Sequence, residues 1–468
     1  MYCGIDFGTT NSSAALSNGN HVEVAELDPA NDSTTSLPSL LYVQSDGVRL
    51  VGRSAAEAYI SRHVGRQVKL EQVDLGLDIQ GYVGAEPDKS EAYKPPDDPR
   101  MTVQQAVRAK ATVEVDSPGR LFQSLKSSLR MPAYRGTELF GQHYQIEELT
   151  SYILRAIKER MDQAAGHPVT KAVFGRPVRF SRRQEEDALA ERRLETAAKL
   201  AGFEEVIFFY EPVAACVEYA INTDREQRLM VVDIGGGTCD VCVMAFGGKR
   251  GAAERLAESS ILGVAGAPVA GDAIDREIME AKVFPLLGSR ARYGPSKLPM
   301  PQHVFRSVAD WQNLYKLNTE ETINWLIATE MSCNQPKAIR RLRTLIQKNY
   351  GYPLARNVEA AKKHLSTHDS AQIQLEEEGL EIKADLERPE FAHIIDHPLD
   401  EMRRAIEEAE ESAGLGADDI DLVLTTGGTC LVPAVRQMLE DRYGHDRLLQ
   451  RDTFVSVAAG LAIVAQYV

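Results

Sequence analysis

The chain has 468 residues, and 68 acidic against 53 basic side chains leave a formal net charge of −15 at pH 7. This negative charge disfavours a nucleic-acid partner, because phosphate backbones bind Lys and Arg. Apolar residues make up 43% of the chain, but no run is long enough to predict a membrane span. The amino terminus lacks the basic, apolar and small-residue series of a signal peptide, so we expect a cytoplasmic protein of about two to four domains.

The first predicted elements are a strand, a tight turn and a second strand. Apolar runs at residues 2–5 and 14–16 flank the turn. The turn combines an acidic residue and a glycine with hydroxyl and amide side chains: Asp6, Gly8, Thr9, Thr10 and Asn11. Apolar runs bounded by such residues are typical of strands that form a hairpin.

The next stretch mixes strand and helix signals. Residues 38–52 predict a strand pair, and residues 119–131 and 146–165 predict helices. Between them, residues 61–118 contain a segment rich in Pro, Asp and Gly, which is typical of a surface insertion.

A second copy of the strand–turn–strand unit begins at Leu229. Its turn contains Asp233, Gly235, Gly236, Gly237 and Thr238. Because one unit occurs twice, we expect an internal duplication of a whole domain. Later in the chain, Gly427, Gly428 and Thr429 form a third glycine turn, and residues 455–468 predict an apolar closing helix.

These turns have the chemistry of phosphate binding. Glycine lets successive backbone N–H groups approach an anion, and such groups form a concave nest. Asp6 and Asp233 stand beside the first two nests, where a carboxylate repels phosphate unless a cation intervenes. Mg²⁺ bridges carboxylates to phosphates and keeps several waters, so the pair predicts a magnesium nucleotide between two lobes.

The ordered motifs resemble the actin-like ATPase superfamily and, within it, the ATPase domain of DnaK-type (heat-shock 70) chaperones. Residues 4–12 and 232–241 are similar to its two phosphate loops and residues 210–215 to its connecting motif. Residues 358–366 resemble its adenosine-binding helix. The resemblance implies an α/β actin-like ATPase fold, in which two duplicated ribonuclease-H-like lobes with helical insertions surround a nucleotide cleft.

The same resemblance implies the domain limits. We expect lobe I at residues 1–225 with an insertion at about 61–118, and lobe II at residues 226–450 with a helical insertion at about 283–354. Residues 451–468 would form the closing helix, which returns towards lobe I. Since the chain stops there, we expect it to lack the family's peptide-binding domain, as in truncated bacterial DnaK-like proteins.

The resemblance also implies roles toward ATP or ADP and Mg²⁺. Asp6 and Asp233 would hold Mg²⁺ through water, and Glu211 would position the metal or the attacking water. Thr238 would support the γ-phosphate, and Asp240 would orient the water, so the expected catalytic set is Glu211, Asp233, Thr238 and Asp240.

The other expected roles concern binding. The phosphate loops would contribute Gly8, Thr9, Thr10, Asn11, Gly235, Gly236 and Gly237. The nucleoside would lie against Glu359, Lys362, Lys363, Ser366, Gly427, Gly428 and Thr429. Taken alone, the Glu359, Lys362 and Lys363 face is also typical of an ordinary salt-bridged helix.

Two positions depart from the family pattern. Ala56 stands where the family has a lysine that stabilises the phosphoryl group, and Arg53, Arg62 or Lys126 are the candidates to replace that lysine. Leu431 stands where the family has an arginine in the third glycine loop.

The leading hypothesis is therefore a DnaK-like protein that binds and hydrolyses Mg-ATP, with a chaperone-type role and a protein client or co-chaperone as partner. One alternative is a small-molecule kinase of the same superfamily, in which a substrate hydroxyl replaces water. The other is a nucleotide-dependent adaptor or filament protein that does not hydrolyse ATP, an alternative that Ala56 favours.

Overall fold

The computed structural model describes residues 1–19, 21–66, 68–84, 102–181, 183–221, 225–246, 260–450 and 456–468. In the first half of the chain the strands are β1 (Tyr2–Asp6), β2 (Asn11–Ser17), β3 (Val22–Val24), β4 (Leu37–Pro38), β5 (Leu40–Gln44), β6 (Arg49–Val51), β7 (Lys69–Gly84), β8 (Thr102–Val115), β9 (Gly119–Gln123), β10 (Gly136–Leu139), β11 (Gln142–Gln145), β12 (Lys171–Arg176) and β13 (Glu205–Tyr210). The helices there are α1 (Arg53–His63), α2 (Leu125–Ser128), α3 (Ile146–Ala165), α4 (Gln184–Ala201) and α5 (Glu211–Ile221).

In the second half the strands are β14 (Gln227–Ile234), β15 (Cys239–Phe246), β16 (Ser260–Ala267), β17 (Arg292–Tyr293), β18 (Leu298–Pro299), β19 (Ser370–Glu377), β20 (Leu380–Glu387), β21 (Leu422–Thr426) and β22 (Leu448–Gln450). The helices are α6 (Gly271–Ile278), α7 (Gln302–Ala309), α8 (Glu320–Ser332), α9 (Pro336–Gln347), α10 (Gly351–Leu365), α11 (Arg388–Ile394), α12 (Asp396–Ala413), α13 (Pro433–Tyr443) and α14 (Ser456–Val464). A π-helical turn covers Met279–Val283, and 3-10 segments cover Phe284–Leu287, Trp311–Leu317, Ala417–Asp419, Gly428–Leu431 and His445–Arg447. Among the described residues, every helix is too short or too polar to cross a bilayer.

Two sheets with the same strand order organise the two halves. In the first, β1, β2 and β3 form an antiparallel meander, and β12 and then β13 extend it in parallel on the other side of β1. In the second, β14, β15 and β16 form the meander, and β21 and β22 extend it in parallel beside β14. This repetition confirms the predicted duplication and the α/β fold with two lobes.

Each sheet buries its own apolar core. The core of the first half contains the apolar stripe of α3, in which Leu149, Ile153, Ile157 and Met161 are completely buried. These positions recur at helical spacing, so the stripe is the face that packs on the sheet. The core of the second half is larger, because it also includes apolar residues of α7, α9 and α10.

Between the sheets, α5 and α14 build a third core with residues of both halves. Val217 of α5 and Leu461 of α14 pack there with Val173 of β12 and Leu229 of β14. The last helix lies so close to the first sheet that a Cβ on Gly4 of β1 would stand 2.2 Å from the backbone nitrogen of Ala462. The lobe limits at residues 225 and 450 stay a prediction.

One expected helix is largely a strand. Residues 119–123 form β9, which pairs antiparallel with β5, and only the four residues of α2 are helical in the predicted segment 119–131. A glycine makes this pairing possible, because a Cβ on Gly119 would stand 2.5 Å from the hydroxyl of Tyr42. Within the predicted insertion at 61–118, β7 and β8 pair as an antiparallel hairpin, and residues 85–101 lie outside the described residues.

Candidate functional site

A cavity of about 1060 Å³ lies where the two sheets face each other. Every site residue predicted from the sequence lines it: Asp6, Gly8, Thr9, Thr10, Asn11, Glu211, Asp233, Gly235, Gly236, Gly237, Thr238, Asp240, Glu359, Lys362, Lys363, Ser366, Gly427, Gly428 and Thr429. The structure thus brings together residues that are hundreds of positions apart, while their individual roles stay predictions.

Both glycine loops line this cavity, and they approach each other closely at Gly236 and Thr10. In the first loop, a Cβ on Gly8 would stand 1.9 Å from the backbone oxygen of Asn11, so only glycine fits. In the second loop, a Cβ on Gly236 would stand 2.2 Å from the hydroxyl oxygen of Thr10. That hydroxyl oxygen is buried and has no hydrogen-bond partner among the described residues. An unpaired buried hydroxyl is costly, and a phosphate oxygen between the loops would satisfy it.

Two hydrogen bonds fix the backbone carbonyls of the second loop. The Thr429 hydroxyl donates to the Gly235 carbonyl at 2.7 Å, and the Asp272 N–H donates to the Gly236 carbonyl at 2.7 Å. Since the C=O and N–H of a trans peptide point in opposite directions, the N–H groups of Gly236 and Gly237 point away from these partners. The third glycine turn supports this arrangement, because Gly427 adopts a φ of 83° directly against the backbone of Ile234. The loop therefore presents N–H groups in the manner of an anion nest.

A buried ion pair lines the cavity. Lys126 Nζ lies 2.8 Å from Glu211 Oε1, and both side chains are about one-tenth exposed. Glu211 is the first residue of α5, where the helix dipole favours a carboxylate. Lys126 belongs to the short helix α2, which follows Ser124 in the left-handed conformation with a φ of 59°. This sharp turn ends β9 and directs α2 towards the cavity.

The charges around this pair shift one another's pKa. Burial, and then Glu211, raise the pKa of the Asp6 carboxyl to about 7. Burial, and then Glu211 and Asp240, raise the pKa of Asp233 well above its usual range. Burial alone lowers the pKa of the Lys126 ammonium, but Glu211 and Asp6 outweigh burial, so its pKa is raised and the group stays charged. One buried cation therefore faces several carboxylates that repel one another.

Asp240 lies directly opposite Asp233 in the β14–β15 hairpin. Burial raises the pKa of Asp240 to about 7, although the Thr238 hydroxyl donates to its carboxylate and opposes the shift. Two carboxyl groups at one cross-strand pair destabilise a hairpin. Such a pair is therefore typical of a site that binds a cation or moves a proton.

The predicted adenosine face of α10 lies at the far side of the cavity. Lys362 Nζ is 2.8 Å from Asp275 Oδ2 and 3.1 Å from the backbone oxygen of Gly271, both in α6. Glu359 pairs within its own helix, since Lys363 Nζ lies 2.7 Å from Glu359 Oε1. Lys362 is thus held by α6, whereas the side chain of Lys363 is two-thirds exposed beside the cavity.

The three candidates for the cation that replaces the family's lysine lie in different places. Ala56 is buried in a cluster with Tyr59, Trp311 and Tyr352. Arg53 pairs with Glu57 on the outer surface of α1, at 3.2 Å. Of the three candidates named from the sequence, Lys126 is the one that lines the cavity. Leu431, in the place of the family's arginine, also lines the cavity.

The donor set fits a hydrated Mg²⁺ held through a nucleotide. The described residues contain no group of three carboxylate, imidazole or thiol side chains that could hold a metal ion directly. Asp6 and Asp233 instead flank the two phosphate loops, and burial and neighbouring carboxylates raise the pKa of both carboxyls although Lys126 opposes the shift. Mg²⁺ usually binds one or two carboxylates together with substrate phosphates and its own waters.

Two aromatic residues, Trp311 and Tyr352, line the cavity, and no pattern in the sequence predicted that they would lie there. They belong to the segment that the sequence predicted only as a helical insertion. Asp272 and Asp275 also line the cavity, and the sequence assigned neither of them a role.

The sequence is similar to those of known chaperones. The model of the Hsp70 protein family matches residues 133–269 and 333–467, which is more than half of the chain. The fold and the site define an actin-like ATPase domain, and the chain belongs to the Hsp70 family.

Individual relatives are distant but match at length. A chaperone protein dnaK of Cyanidioschyzon merolae is 23% identical over 464 residues, which cover 99% of this chain and 61% of that protein. A chaperone protein HscA homolog of Azoarcus sp. is 27% identical over 465 residues, which cover 99% of this chain and 57% of that protein. A chaperone protein DnaK of Mesomycoplasma hyopneumoniae (strain 232) is 27% identical over 330 residues, which cover 68% of this chain and 44% of that protein. The chain thus spans between 44% and 61% of the length of these relatives.

Proposed function

We propose that this protein binds Mg-ATP between its two sheets and hydrolyses it, and that the resulting change between the lobes serves a chaperone-type role with a protein client or co-chaperone. The observation that carries the proposal is the pair of opposed glycine loops around the buried Lys126–Glu211 ion pair. Membership of the Hsp70 family supports the same activity.

In this proposal the phosphates lie between the two loops. Backbone N–H groups of Gly8, Gly236 and Gly237 and the hydroxyls of Thr9 and Thr10 bind phosphate oxygens. Asp6 and Asp233 would hold Mg²⁺ through water, and the metal ion would supply neutralisation of the phosphate charge. The adenosine lies against Glu359, Lys362 and Lys363 of α10 and against Ser366, which follows the helix, with Gly427, Gly428 and Thr429 on its other side.

Each polar residue around the γ-phosphate has a separate role in the hydrolysis. Asp240 orients the attacking water and accepts its proton, for which a pKa near 7 suits a group working at neutral pH. Thr238 supports the γ-phosphate and donates to Asp240. Lys126 stabilises the negative charge of the transferred phosphoryl group, and Glu211 positions Lys126 at 2.8 Å.

The test of this assignment compares two buried lysines of the first half of the chain. Lys126→Ala is expected to lower Mg-dependent phosphate release by roughly 10²-fold or more, because loss of one pre-positioned charge has that effect. Lys158→Ala is the control, since Lys158 is also nine-tenths buried and pairs with a carboxylate, Asp162, at 2.8 Å in α3. Calorimetric titration with ATP separates a loss of binding from a loss of turnover. Equal turnover by Lys126→Ala and the wild-type protein contradicts the role of Lys126.

The wild-type protein distinguishes the alternatives. Phosphate release from ATP without an added acceptor supports the ATPase. Turnover only with an added hydroxyl compound supports the small-molecule kinase, and tight ATP binding without any turnover supports the adaptor. ATP-dependent formation of polymers supports the filament protein. A chaperone role additionally requires ATP-dependent suppression of the aggregation of a denatured test protein.

A further inference from the structure

The buried face of α4 carries one charged side chain, that of Arg193. This residue is 7% exposed. The other buried residues of the helix are small or apolar and recur at helical spacing with it: Ala190, Leu194, Ala197, Ala198 and Ala201. Burying an arginine is costly unless its charge is paired and its donors are hydrogen-bonded. The partners of Arg193 therefore explain why an arginine occupies a position of the apolar face.

Arg193 connects three elements of the first half. Its Nη1 donates to the backbone carbonyls of Leu129 and Met131, at 3.0 Å each. Its Nε lies 3.2 Å from Oε1 of Glu147, in the first turn of α3. A guanidinium presents its donors in a rigid planar fork, so one side chain binds a carboxylate and two carbonyls at the same time. The chain segment around Leu129 is thus bound to α4 directly and to α3 through Glu147.

The segment that Arg193 binds is the end of α2. This helix has only four residues, and Leu129 is its C-cap. A single helical turn has little stability of its own, and its last carbonyls have no partners within the helix. Leu125 and Leu129 are buried in the apolar core of the first half. Apolar contacts have no direction, whereas the hydrogen bonds from Arg193 fix the orientation of the carbonyls and hence of the helix.

The orientation of α2 determines where Lys126 lies. Lys126 is in α2, and its ammonium stands 2.8 Å from Glu211 Oε1 at the cavity. The lysine is therefore held at both ends, its ammonium by Glu211 and its helix by Arg193. A charge stabilises a transition state best when it is already in place, and a displacement of about 1 Å can cost roughly 10²-fold in rate.

We propose that Arg193 is a positioning residue for the hydrolysis of ATP, which fixes the end of α2 and thereby holds Lys126 against the transferred phosphoryl group. This proposal rests on the proposed function, because it requires that Lys126 act on a bound nucleotide. Arg193 does not itself line the cavity, so it acts through α2.

The second half offers a matched control, Arg447. Its Nη1 also donates to two backbone carbonyls, those of Ala417 and Ile420, at 3.0 and 3.1 Å. Its Nη2 lies 3.9 Å from a carboxylate oxygen of Asp418. Arg447 thus makes the same kinds of contact as Arg193, but it does not line the cavity and holds no residue of the candidate site.

The test compares Arg193→Lys with Arg447→Lys. Both variants keep the positive charge and lose the planar fork of donors. Mg-dependent phosphate release is measured at saturating ATP, well below the unfolding temperature of each variant, and calorimetric titration measures the affinity for ATP. We expect Arg193→Lys to release phosphate roughly tenfold more slowly than the wild-type protein, with the affinity for ATP unchanged. Arg447→Lys is expected to stay within about twofold of the wild-type rate.

A double variant separates positioning from a general effect on the fold. If Arg193 acts through Lys126, Arg193→Lys has no further effect on turnover when Lys126→Ala is already present, because the two losses are not additive. Additive losses overturn the positioning role. Equal turnover by Arg193→Lys and the wild-type protein also overturns it and leaves the proposed function standing. A wild-type protein that releases no phosphate from ATP overturns both.

A second variant covers the case in which Arg193→Lys fails to fold. Glu147→Gln keeps the arginine and its two carbonyl acceptors and removes only the charge that Arg193 faces in α3. We expect a smaller loss of turnover in the same direction, again without effect when Lys126→Ala is present. Turnover at the wild-type rate in Glu147→Gln then overturns the proposal.

Discussion

The two hairpins that carry the phosphate loops have the same architecture but different chemistry. In β1–β2, Asp6 lies opposite Ser13, whereas in β14–β15, Asp233 lies opposite Asp240. The first hairpin therefore pairs a carboxyl with a hydroxyl, and the second pairs two carboxyls that repel each other. The comparison shows that duplication supplied two equal scaffolds and that only the second accepted an unfavourable pair.

Charged residues of the first half act on the carboxyl groups of the second. Lys126 and Glu211 both come from the first half, yet their charges shift the pKa of Asp233 and Asp240 in the second. Each lobe is thus electrostatically incomplete, and the balance of charges exists only when the two lobes face each other.

The largest expected difference between the hairpins concerns turnover. Asp240→Asn is expected to lower Mg-dependent phosphate release by roughly 10²- to 10⁴-fold, because it removes the group that accepts the proton. Ser13→Ala changes the matching position of the first hairpin and is expected to keep turnover within about twofold of the wild-type protein, since a hydroxyl there has no proton-transfer role. Equal losses in the two variants would show that the hairpins are not specialised.

A smaller effect is expected from the glycines of the two loops. Gly8→Ala introduces a Cβ 1.9 Å from the Asn11 backbone oxygen and is expected to lower the free energy of unfolding by about 1–3 kcal/mol. The Cβ that Gly235→Ala introduces has no atom within 4 Å. The free energy of unfolding should therefore stay at the wild-type value, while the affinity for nucleotide falls. Thermal unfolding and nucleotide titration measure the two effects, and a stable Gly8→Ala protein contradicts the described loop geometry.

The second hairpin is also expected to make the stability of the nucleotide-free protein depend on pH. The pKa of Asp240 is raised to about 7, so the folded protein keeps a proton that the unfolded chain loses, and stability contributed by this group falls as pH rises from about 4 to 7. Asp240→Asn lacks this titrating group. The difference in the free energy of unfolding between Asp240→Asn and the wild-type protein should therefore shift in favour of the variant as pH rises from about 4 to 7, by at most about 1.4 kcal/mol per pH unit. Above that range the difference should stay constant. Ser13→Ala should show no such trend. An advantage of Asp240→Asn that is largest near pH 4 contradicts the shift.

Local features of the site were predictable from the sequence. Both hairpins could be predicted, because apolar runs and glycine turns specify them within about ten neighbouring residues. The segment at 119–131 was mispredicted as a helix, because its first five residues form the strand β9 against β5, about 80 positions earlier in the chain. Such pairing overrides local preference and leaves no trace in the spacing of the segment itself.

The sequence by itself determined the duplicated α/β scaffold and the residue types that line the cleft. Both depend on short-range patterns, namely the alternation of apolar runs and the glycine turns after Ile5 and Ile234. Only the tertiary structure decided that Lys126 lines the cavity whereas Ala56 does not, and that Tyr59 contacts Trp311. These contacts join residues 85 positions apart in one case and about 250 in the other, and their energy exists only after burial has excluded water.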